Sequence, residues 1–316
     1  MKKYHLSEES LRSAWDLIVA AINITLLTHY KPDGDALSSC AALEHVLRRH
    51  GKKVETIYPG GTPDQVPHSP SPLHNNSHTV VPDLLIACDT ASADRLYLPE
   101  SFAAVPLIVI DHHVSNSLGD RATHTFLTPA ASSTCEVLHY LFAEWGEEID
   151  ERLAEILLYG VVSDTQCFRT SNTSGETLAV AGDLVSRGAN LYDMAGSMTQ
   201  RDNPAIISLW GDLLGSAEHN HRAIWTTCTQ KQLRNHNLDD SALAGVVNQL
   251  ASMSTIDIAI LFYEQEDGKS KASLRSKNTN VNALANQFGG GGHVRAAGLS
   301  SDESLAVLVD KVLALL

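Results

Sequence analysis

Short apolar runs alternate with amphipathic segments through the first half of the chain. Residues 24–27, 84–88 and 106–110 are continuous apolar runs of strand length, which is typical of strands buried on both faces of a sheet. Ser7 can cap a helix that runs to about residue 22, and Asp35 begins a second helix that ends near residue 50. This alternation predicts an α/β domain with a mainly parallel sheet.

Further helices are predicted at 133–145, 151–160 and 175–187, and a further strand at 54–58. After residue 190 the pattern changes, and strands are predicted at 222–227, 256–262 and 272–275, with helices between them. We therefore predict a catalytic domain over residues 1–190, a linker over 191–204 and a smaller α/β domain over 205–316. Residues 59–76 are rich in proline, glycine and histidine, and we expect a loop over the site there rather than a helix or strand.

Acidic and histidine residues follow the predicted strands. Asp33 and Asp35 lie in a turn after the first apolar run, Asp89 follows the second, and Asp111-His112-His113 follows the third. Ligands of an open α/β sheet gather at the carboxyl ends of its strands, so these loops should converge. Asp164 follows another apolar stretch at 156–162 and is expected to join them.

Each of these motifs has an ordinary structural interpretation. Asp-Gly is a common turn pair, and a single aspartate after a strand is more often a helix cap than a ligand, which alone would favour a cap for Asp89 and Asp164. One of the adjacent histidines could be a satisfied core side chain. The recurrence of the same placement in separate segments makes a single site the stronger hypothesis.

The residue types indicate which metal such a site would hold. Carboxylate and imidazole ligands without thiolate favour Mn²⁺ or Mg²⁺ over structural zinc, and no Cys-x-x-Cys pair occurs in the chain. Six such ligands are typical of a site that holds two divalent cations side by side. The expected chemistry is hydrolysis.

Composition narrows the class of protein. The hydrophobic fraction of 43% is sufficient for two cores, and the five cysteines are odd in number and unpatterned, which indicates buried thiols in a reducing compartment. The start of the chain shows no secretory signal, and no apolar run approaches membrane-spanning length, so we expect a cytoplasmic protein with no membrane association.

Charge is distributed unequally along the chain. Residues 1–195 carry 13 Lys and Arg against 25 Asp and Glu, which is −12 of the total net charge of −14. A long nucleic acid would require an extended basic groove, and neither half of the sequence predicts one. A short substrate, gripped locally, fits this charge distribution better.

A glycine run near the carboxyl terminus precedes a histidine. Residues 289–292 are four glycines and residue 293 is histidine. The run could be a flexible connection, and alone it is weak evidence. Glycine also lets backbone N–H groups approach an anion closely, which favours substrate binding once the whole set of motifs is considered.

Together these motifs resemble those of the DHH phosphoesterase family, named for its Asp-His-His triplet. The matching segments are 131–136, 163–165 with Phe168, and 273–276 with 289–298. Segments 273–276 and 289–298 are similar to the DHHA1 domain. The order and length are most similar to the NrnA subgroup of nano-RNases and pAp phosphatases. Ser38 and Gln166 stand where that pattern usually has glycine, which affects the expected loop backbone and the fit of substrate but replaces no ligand.

The resemblance implies a role for each residue. It implies that one metal is held by His29, Asp33 and Asp89 and the other by Asp35, Asp89, His112 and Asp164, with Asp89 shared. His113 is then expected to contact the phosphate or assist the leaving oxygen, and Asp111 to orient an imidazole. The residues that the resemblance assigns to substrate are Arg275, Ser276, Gly290, Gly291, Gly292 and His293.

The resemblance also implies a function. We expect a phosphoesterase with two Mn²⁺ ions, or Mg²⁺ or another divalent metal, that hydrolyses very short RNA to 5′-mononucleotides and also pAp to AMP. A phosphodiesterase for cyclic or linear dinucleotides such as c-di-AMP or pApA is the alternative, and a catalytically inactive nucleotide-binding protein is less favoured. Substrate length, the metal used in the cell and assembly as a homodimer remain open.

Overall fold

The computed structural model describes residues 7–60, 66–199 and 203–316, except for the side chains of residues 197–199 and of His293. The chain divides into two compact units after Thr199. Within the described residues, none of the helices is long and apolar enough to cross a membrane.

The first unit contains a six-stranded parallel sheet, as the apolar runs predict. Its strands are β1 (Asn23–Leu27), β2 (Lys53–Tyr58), β3 (Leu73–Asn75), β4 (Leu84–Cys88), β5 (Leu107–Asp111) and β6 (His124–Leu127). Their order is β3-β2-β1-β4-β5-β6, so the direction of strand addition reverses between β1 and β4. That reversal is the position where open α/β sheets bind ligands.

The described part of the first unit contains six α-helices. They are α1 (Glu8–Ala20), α2 (Gly34–Arg49), α3 (Thr134–Glu144), α4 (Glu151–Asp164), α5 (Gly175–Ser186) and α6 (Leu191–Thr199). Several begin at a side-chain cap: Ser7 accepts from the backbone N–H of Ser10, and Asp150 accepts from that of Leu153. The continuous apolar strands β4 and β5 are fully buried, as is typical of a parallel sheet covered on both faces.

Two glycines allow α2, α3 and α4 to pack closely. A Cβ atom on Gly34 would lie 2.2 Å from Oγ of Ser163, and one on Gly160 would lie 2.2 Å from Sγ of Cys135 and 2.8 Å from Oδ1 of Asp35. Larger residues would push these helices apart. The close approach brings the first turn of α2 and the last turn of α4 to the same place.

The second unit has a mixed six-stranded sheet. Its strands are β7 (Glu218–His219), β8 (Ala223–Cys228), β9 (Ile258–Glu264), β10 (Ser270–Ser276), β11 (Gly291–His293) and β12 (Ala296–Ser301), and its helices are α7 (Pro204–Gly215), α8 (Gln230–Asn235), α9 (Val246–Ala251), α10 (Val281–Asn286) and α11 (Leu305–Leu313). The order is β11-β12-β10-β9-β8-β7, with only β8 and β9 parallel. Separate buried clusters cover its two faces.

Two segments differ from the sequence predictions. Residues 59–76 include the edge strand β3. Ser71, two residues before this strand, donates its backbone N–H to Oε2 of Glu44 in α2 at 2.8 Å. Residues 61–65 lie outside the described part of the chain. The segment predicted as a linker contains α6, and its Met194 is buried in the core of the first unit. The proline and glycine content of residues 59–76 argued against a strand there. Composition also does not determine where the first unit ends, so α6 was assigned to a linker.

Candidate metal centre and substrate-binding residues

The predicted metal ligands converge at the carboxyl edge of the first sheet. His29 and Asp33 follow β1, Asp89 follows β4, and His112 follows β5. These three strands are neighbours in the sheet, so their ends are close in space. Asp164, the last residue of α4, joins them from a helix end rather than from a strand.

One group forms around His29. Its Nε2 lies 3.7 Å from Oδ2 of Asp89 and 4.0 Å from Oδ2 of Asp33. Nδ1 of the same ring lies 2.9 Å from the Tyr30 carbonyl oxygen, which fixes the orientation of the ring and directs Nε2 toward the carboxylates. One atom from each of these three side chains lies within 4.8 Å of the others, which is close enough for a shared cation.

A second group forms around His112. Its Nε2 lies 3.4 Å from Oδ1 of Asp89 and 3.8 Å from Oδ2 of Asp164. Asp89 therefore contributes one oxygen to each group. This is the arrangement expected of a carboxylate that bridges two cations.

Asp35 is buried and its carboxylate lies at the start of α3. Oδ2 accepts a hydrogen bond from the Thr134 N–H at 2.7 Å, and Oδ1 accepts one from the Cys135 N–H at 3.0 Å. The hydroxyl of Thr134 also donates to Oδ1 of Asp89 at 3.1 Å. Thr134 thus holds two of the carboxylates in place, a role that the sequence motif at 131–136 did not specify.

Asp111 and His113 form a tight pair next to these groups. Asp111 is fully buried, and its Oδ1 lies 2.7 Å from Nδ1 of His113 and accepts from the backbone N–H of His112. The other oxygen accepts from Nδ2 of Asn116 at 2.8 Å. The Asp111 carboxylate therefore fixes the orientation of the His113 ring.

The titratable groups show how crowded the acidic residues are. Burial and the nearby charge of Asp89 raise the pKa of Asp164 to about 6. Burial lowers the pKa of His112, but its hydrogen bond to Asp89 and the charges of Asp89 and Asp164 outweigh that effect and raise it to about 10. The imidazolium groups here supply the positive charge that the carboxylates require.

This donor set fits divalent metal ions. Carboxylate oxygens and imidazole nitrogens suit Mn²⁺ and Mg²⁺, and the nearby thiol of Cys135 is buried with a raised pKa, so it is not in the thiolate form that binds zinc. Burial and the charges of Asp89 and Asp164 raise the pKa of Asp35, so a cation beside this carboxylate would stabilise its charged form.

The backbone is unusual at two of these positions. Asp89 has φ 54°, and the turn after Asp164 places Gln166, Cys167 and Phe168 at φ 47°, 59° and 62°. Glycine is the residue that adopts such angles without strain, so Gln166 adopts a conformation in which glycine would be unstrained. Ser38, the other departure, lies in the interior of α2, where no positive φ is required.

Arg95 is a site residue that the sequence analysis missed. Its Nη2 lies 3.2 Å from Nδ1 of His29 and donates to the Tyr30 carbonyl at 3.4 Å. It comes six residues after Asp89, on a one-turn 3₁₀ helix, and neither a strand end nor a helix pattern marks it. The signal that could have located it is its position in the loop that follows Asp89.

The second unit holds the predicted substrate residues Arg275 and Ser276 at the end of β10. Nε of Arg275 donates to Oδ1 of Asn248 at 3.0 Å, and Nη1 donates to the Leu274 carbonyl at 3.0 Å. Among the described residues, no carboxylate is paired with this guanidinium, and burial lowers its pKa. The Ser276 hydroxyl donates to the Thr279 carbonyl, so it braces the turn after the strand.

The glycine run is partly a strand. Gly291–His293 forms β11 at the edge of the second sheet, paired with β12. Packing requires glycine at 290, because a Cβ there would lie 2.3 Å from the Gly298 carbonyl oxygen. A Cβ at Gly292 would lie 2.5 Å from the Ala296 carbonyl oxygen, and the positive φ of 142° at this residue also favours glycine. The predicted role of the His293 side chain falls outside the described residues.

Comparison with known proteins matches both units. The model of the DHH family, N-terminal domain, matches residues 23–161, and the model of the DHHA1 domain matches residues 225–316. The bifunctional oligoribonuclease and PAP phosphatase NrnA of Bacillus subtilis is 28% identical, over 91% of this chain and 93% of its own length. NrnA of Thermus thermophilus is 27% identical, over 87% and 83%.

A solved structure resembles the whole chain. An exopolyphosphatase-related protein from Bacteroides fragilis aligns with a TM-score of 0.84 at 21% identity, covering 98% of this chain and 97% of the other. At this level of identity the similarity establishes the fold alone.

Proposed function

Because the chain belongs to the DHH family of phosphoesterases that carry a DHHA1 domain, we propose that it hydrolyses very short oligoribonucleotides to 5′-mononucleotides and pAp to AMP. The observation that carries the proposal is the convergence of His29, Asp33, Asp89, His112 and Asp164 at one edge of the sheet. The similarity to NrnA proteins over nine tenths of the chain supports the choice of substrate.

Two divalent cations are proposed as cofactors, with Mn²⁺ favoured by the two imidazole ligands. His29, Asp33 and Asp89 would hold one, and Asp35, Asp89, His112 and Asp164 would hold the other. Cations in this position supply positive charge that polarises the phosphoryl group and lowers the pKa of a water.

The chain's own residues then have distinct tasks. Asp111 keeps Nδ1 of His113 hydrogen-bonded, so Nε2 can contact a phosphate oxygen or give a proton to the leaving oxygen. The hydrogen bond to Asp111 raises the pKa of His113 against the lowering effect of burial, which favours the protonated ring that such a donor needs. Arg275, which has no carboxylate partner among the described residues, is proposed to bind a phosphate of the substrate.

A substrate panel tests the proposal. Purified protein is treated with a chelator, reloaded with Mn²⁺ or Mg²⁺, and given a diribonucleotide, a five-nucleotide RNA, a long RNA, pAp and cyclic di-AMP. We expect the fastest hydrolysis for the shortest RNA, measurable hydrolysis of pAp and none after chelation. Preferred cleavage of cyclic di-AMP or of long RNA, or full turnover without metal, would contradict the proposal.

A further inference from the structure

Tyr30 is an exposed aromatic residue immediately after a proposed metal ligand. It follows His29 beyond the carboxyl end of β1, and the relative exposure of the residue is 48%. Consecutive Cα atoms are about 3.8 Å apart, so the backbone of Tyr30 borders the proposed metal centre. The ring is neither a proposed metal ligand nor part of the pair formed by Asp111 and His113.

The backbone of Tyr30 is held firmly on both sides. Its N–H donates to the Arg95 carbonyl at 3.0 Å, and its own carbonyl oxygen lies 2.9 Å from Nδ1 of His29 and accepts from Nη2 of Arg95. A tyrosine has only two side-chain torsions, so with its backbone held in this way it loses little conformational entropy when a ligand contacts it. The ring is therefore exposed without being loosely attached.

The loop beside the ring leaves room for it. Gly60, two residues after β2, has φ 47°, and a Cβ atom built there would lie only 3.0 Å from Cε2 of Tyr30. Glycine at this position therefore leaves room for this edge of the ring.

Positive charge lies beside the ring in a strongly acidic unit. Nζ of Lys31 lies over the ring, 5.8 Å from its centroid, and the guanidinium of Arg95 contacts the backbone carbonyl of Tyr30. An aromatic side chain with cations close by is the combination that binds a nucleobase together with the adjacent phosphate of a single strand. No other function of the described structure requires an aromatic residue to be exposed here.

We propose that Tyr30 is the stacking platform for a base of the substrate nucleotide at the metal centre, with Lys31 facing the neighbouring phosphate. The inference rests on the proposed function and adds to it a requirement for a base. It predicts that the enzyme distinguishes a nucleotide from the same phosphodiester without a base through the first unit itself.

The test compares Tyr30→Ala and Tyr30→Leu with wild type and Tyr30→Phe, on a diribonucleotide and on its abasic analogue at each position, in Mn²⁺. Stacking on an aromatic side chain implies a loss of about 5- to 100-fold in the ratio of kcat/KM between the two substrates when the ring is removed. The loss should appear mainly in KM. Tyr30→Phe should keep the ratio, and Tyr30→Leu, which keeps apolar volume without an aromatic face, should lose it.

The outcomes separate this inference from the function on which it rests. Failure of wild type on every nucleotide would overturn the proposed function. Activity of wild type together with equal losses on both substrates in Tyr30→Ala would mean that Tyr30 only supports His29, and stacking would be wrong. Melting curves and Mn²⁺ binding of each variant are measured as well, and Tyr30→Leu serves as the second ring-free variant if Tyr30→Ala is unstable.

Discussion

The two units present opposite electrostatic environments to a phosphate. In the first, the carboxylates of Asp35 and Asp89 are buried close together, and burial together with the neighbouring negative charges raises the pKa of Asp35 and Asp164. In the second, Arg275 is half-buried and held by the neutral oxygens of Asn248 and Leu274. The first is suited to bind cations and the second an anion, so the net negative charge of the chain does not exclude the acidic substrates that we propose.

Replacing Asp89 is expected to have the largest effect on this difference. Asp89→Asn should abolish turnover, because one oxygen of Asp89 faces each group of proposed ligands. Asparagine tolerates the positive φ of this position, so the fold should persist. Turnover of a diribonucleotide and thermal melting are measured with and without Mn²⁺.

The matched control is Asp94→Asn, which removes an exposed carboxylate from the same loop. It should behave like wild type. Near-normal turnover of folded Asp89→Asn would reject a bridging role for Asp89.

Replacing Arg275 tests the anion-binding side and should have the second largest effect. A charge-assisted hydrogen bond is worth about 1.5–3 kcal/mol, so Arg275→Ala should lower kcat/KM for nucleotides by about one to two orders of magnitude. The generic diester bis-p-nitrophenyl phosphate should be cleaved almost as well by the variant as by wild type.

Lys269→Ala provides a control for the loss of positive charge. Lys269 comes directly before β10, the strand that carries Arg275, and its Nζ pairs with Oδ1 of Asp302 at 3.3 Å. Equal losses on nucleotides and on the generic diester in Arg275→Ala would mean that the arginine supports the fold.

Removal of the metal should reveal the free-energy cost of keeping Asp164 charged in the folded protein. The pKa of Asp164 is raised above its usual value to about 6, so the metal-free protein loses stability as pH rises from about 4 through 6. Asp164→Asn should therefore melt higher than wild type at pH 7 to 8 without metal, on the order of 1 kcal/mol or a few degrees. Near pH 4 the two proteins should melt alike.

Added Mn²⁺ should reverse the order, because wild type keeps the complete ligand set. A metal-free Asp164→Asn protein that melts lower than wild type at pH 8 would show that Asp164 and His112 attract more strongly than the carboxylates repel.

The smallest expected effect concerns the turn after Asp164. Gln166→Gly should stabilise the protein by less than about 1 kcal/mol, since relief of the positive φ is partly offset by the greater freedom of glycine in the unfolded chain. Gln166→Val should destabilise it. Chemical denaturation of both variants checks the difference, and a Gln166→Gly protein less stable than wild type would mean that the glutamine side chain contributes more than its backbone costs.

Much of the first unit could be predicted because its signals are local. The apolar runs that become β1, β4 and β5 and the cap at Ser7 are visible in the sequence, and the strand ends bring Asp89 and His112 together. Arg95 could not be found in this way, because its contact with His29 depends on how the loop after β4 folds back. The same is true of Thr134, which reaches Asp35 across the chain.

The second unit was less predictable for a different physical reason. The glycine run at 289–292 suggested a substrate-binding loop, but the close approach of β12 already requires glycine at 290 and 292, and Gly292 also has a positive φ. A composition signal cannot distinguish a glycine that approaches a ligand from one that approaches another strand. The edge strand β3 was missed because proline-rich segments seldom form strands.

Gly160 has a consequence for how the metal affinity of this protein could change in evolution. Because Gly160 has no side chain, α4 can lie against Cys135 and the Asp35 carboxylate, so one residue sets both the spacing of these helices and the position of a proposed ligand. Any enlargement at position 160 would widen that spacing and shift Asp35 at the same time. Selection for a different cation radius could therefore act on helix packing while the ligands themselves stay unchanged.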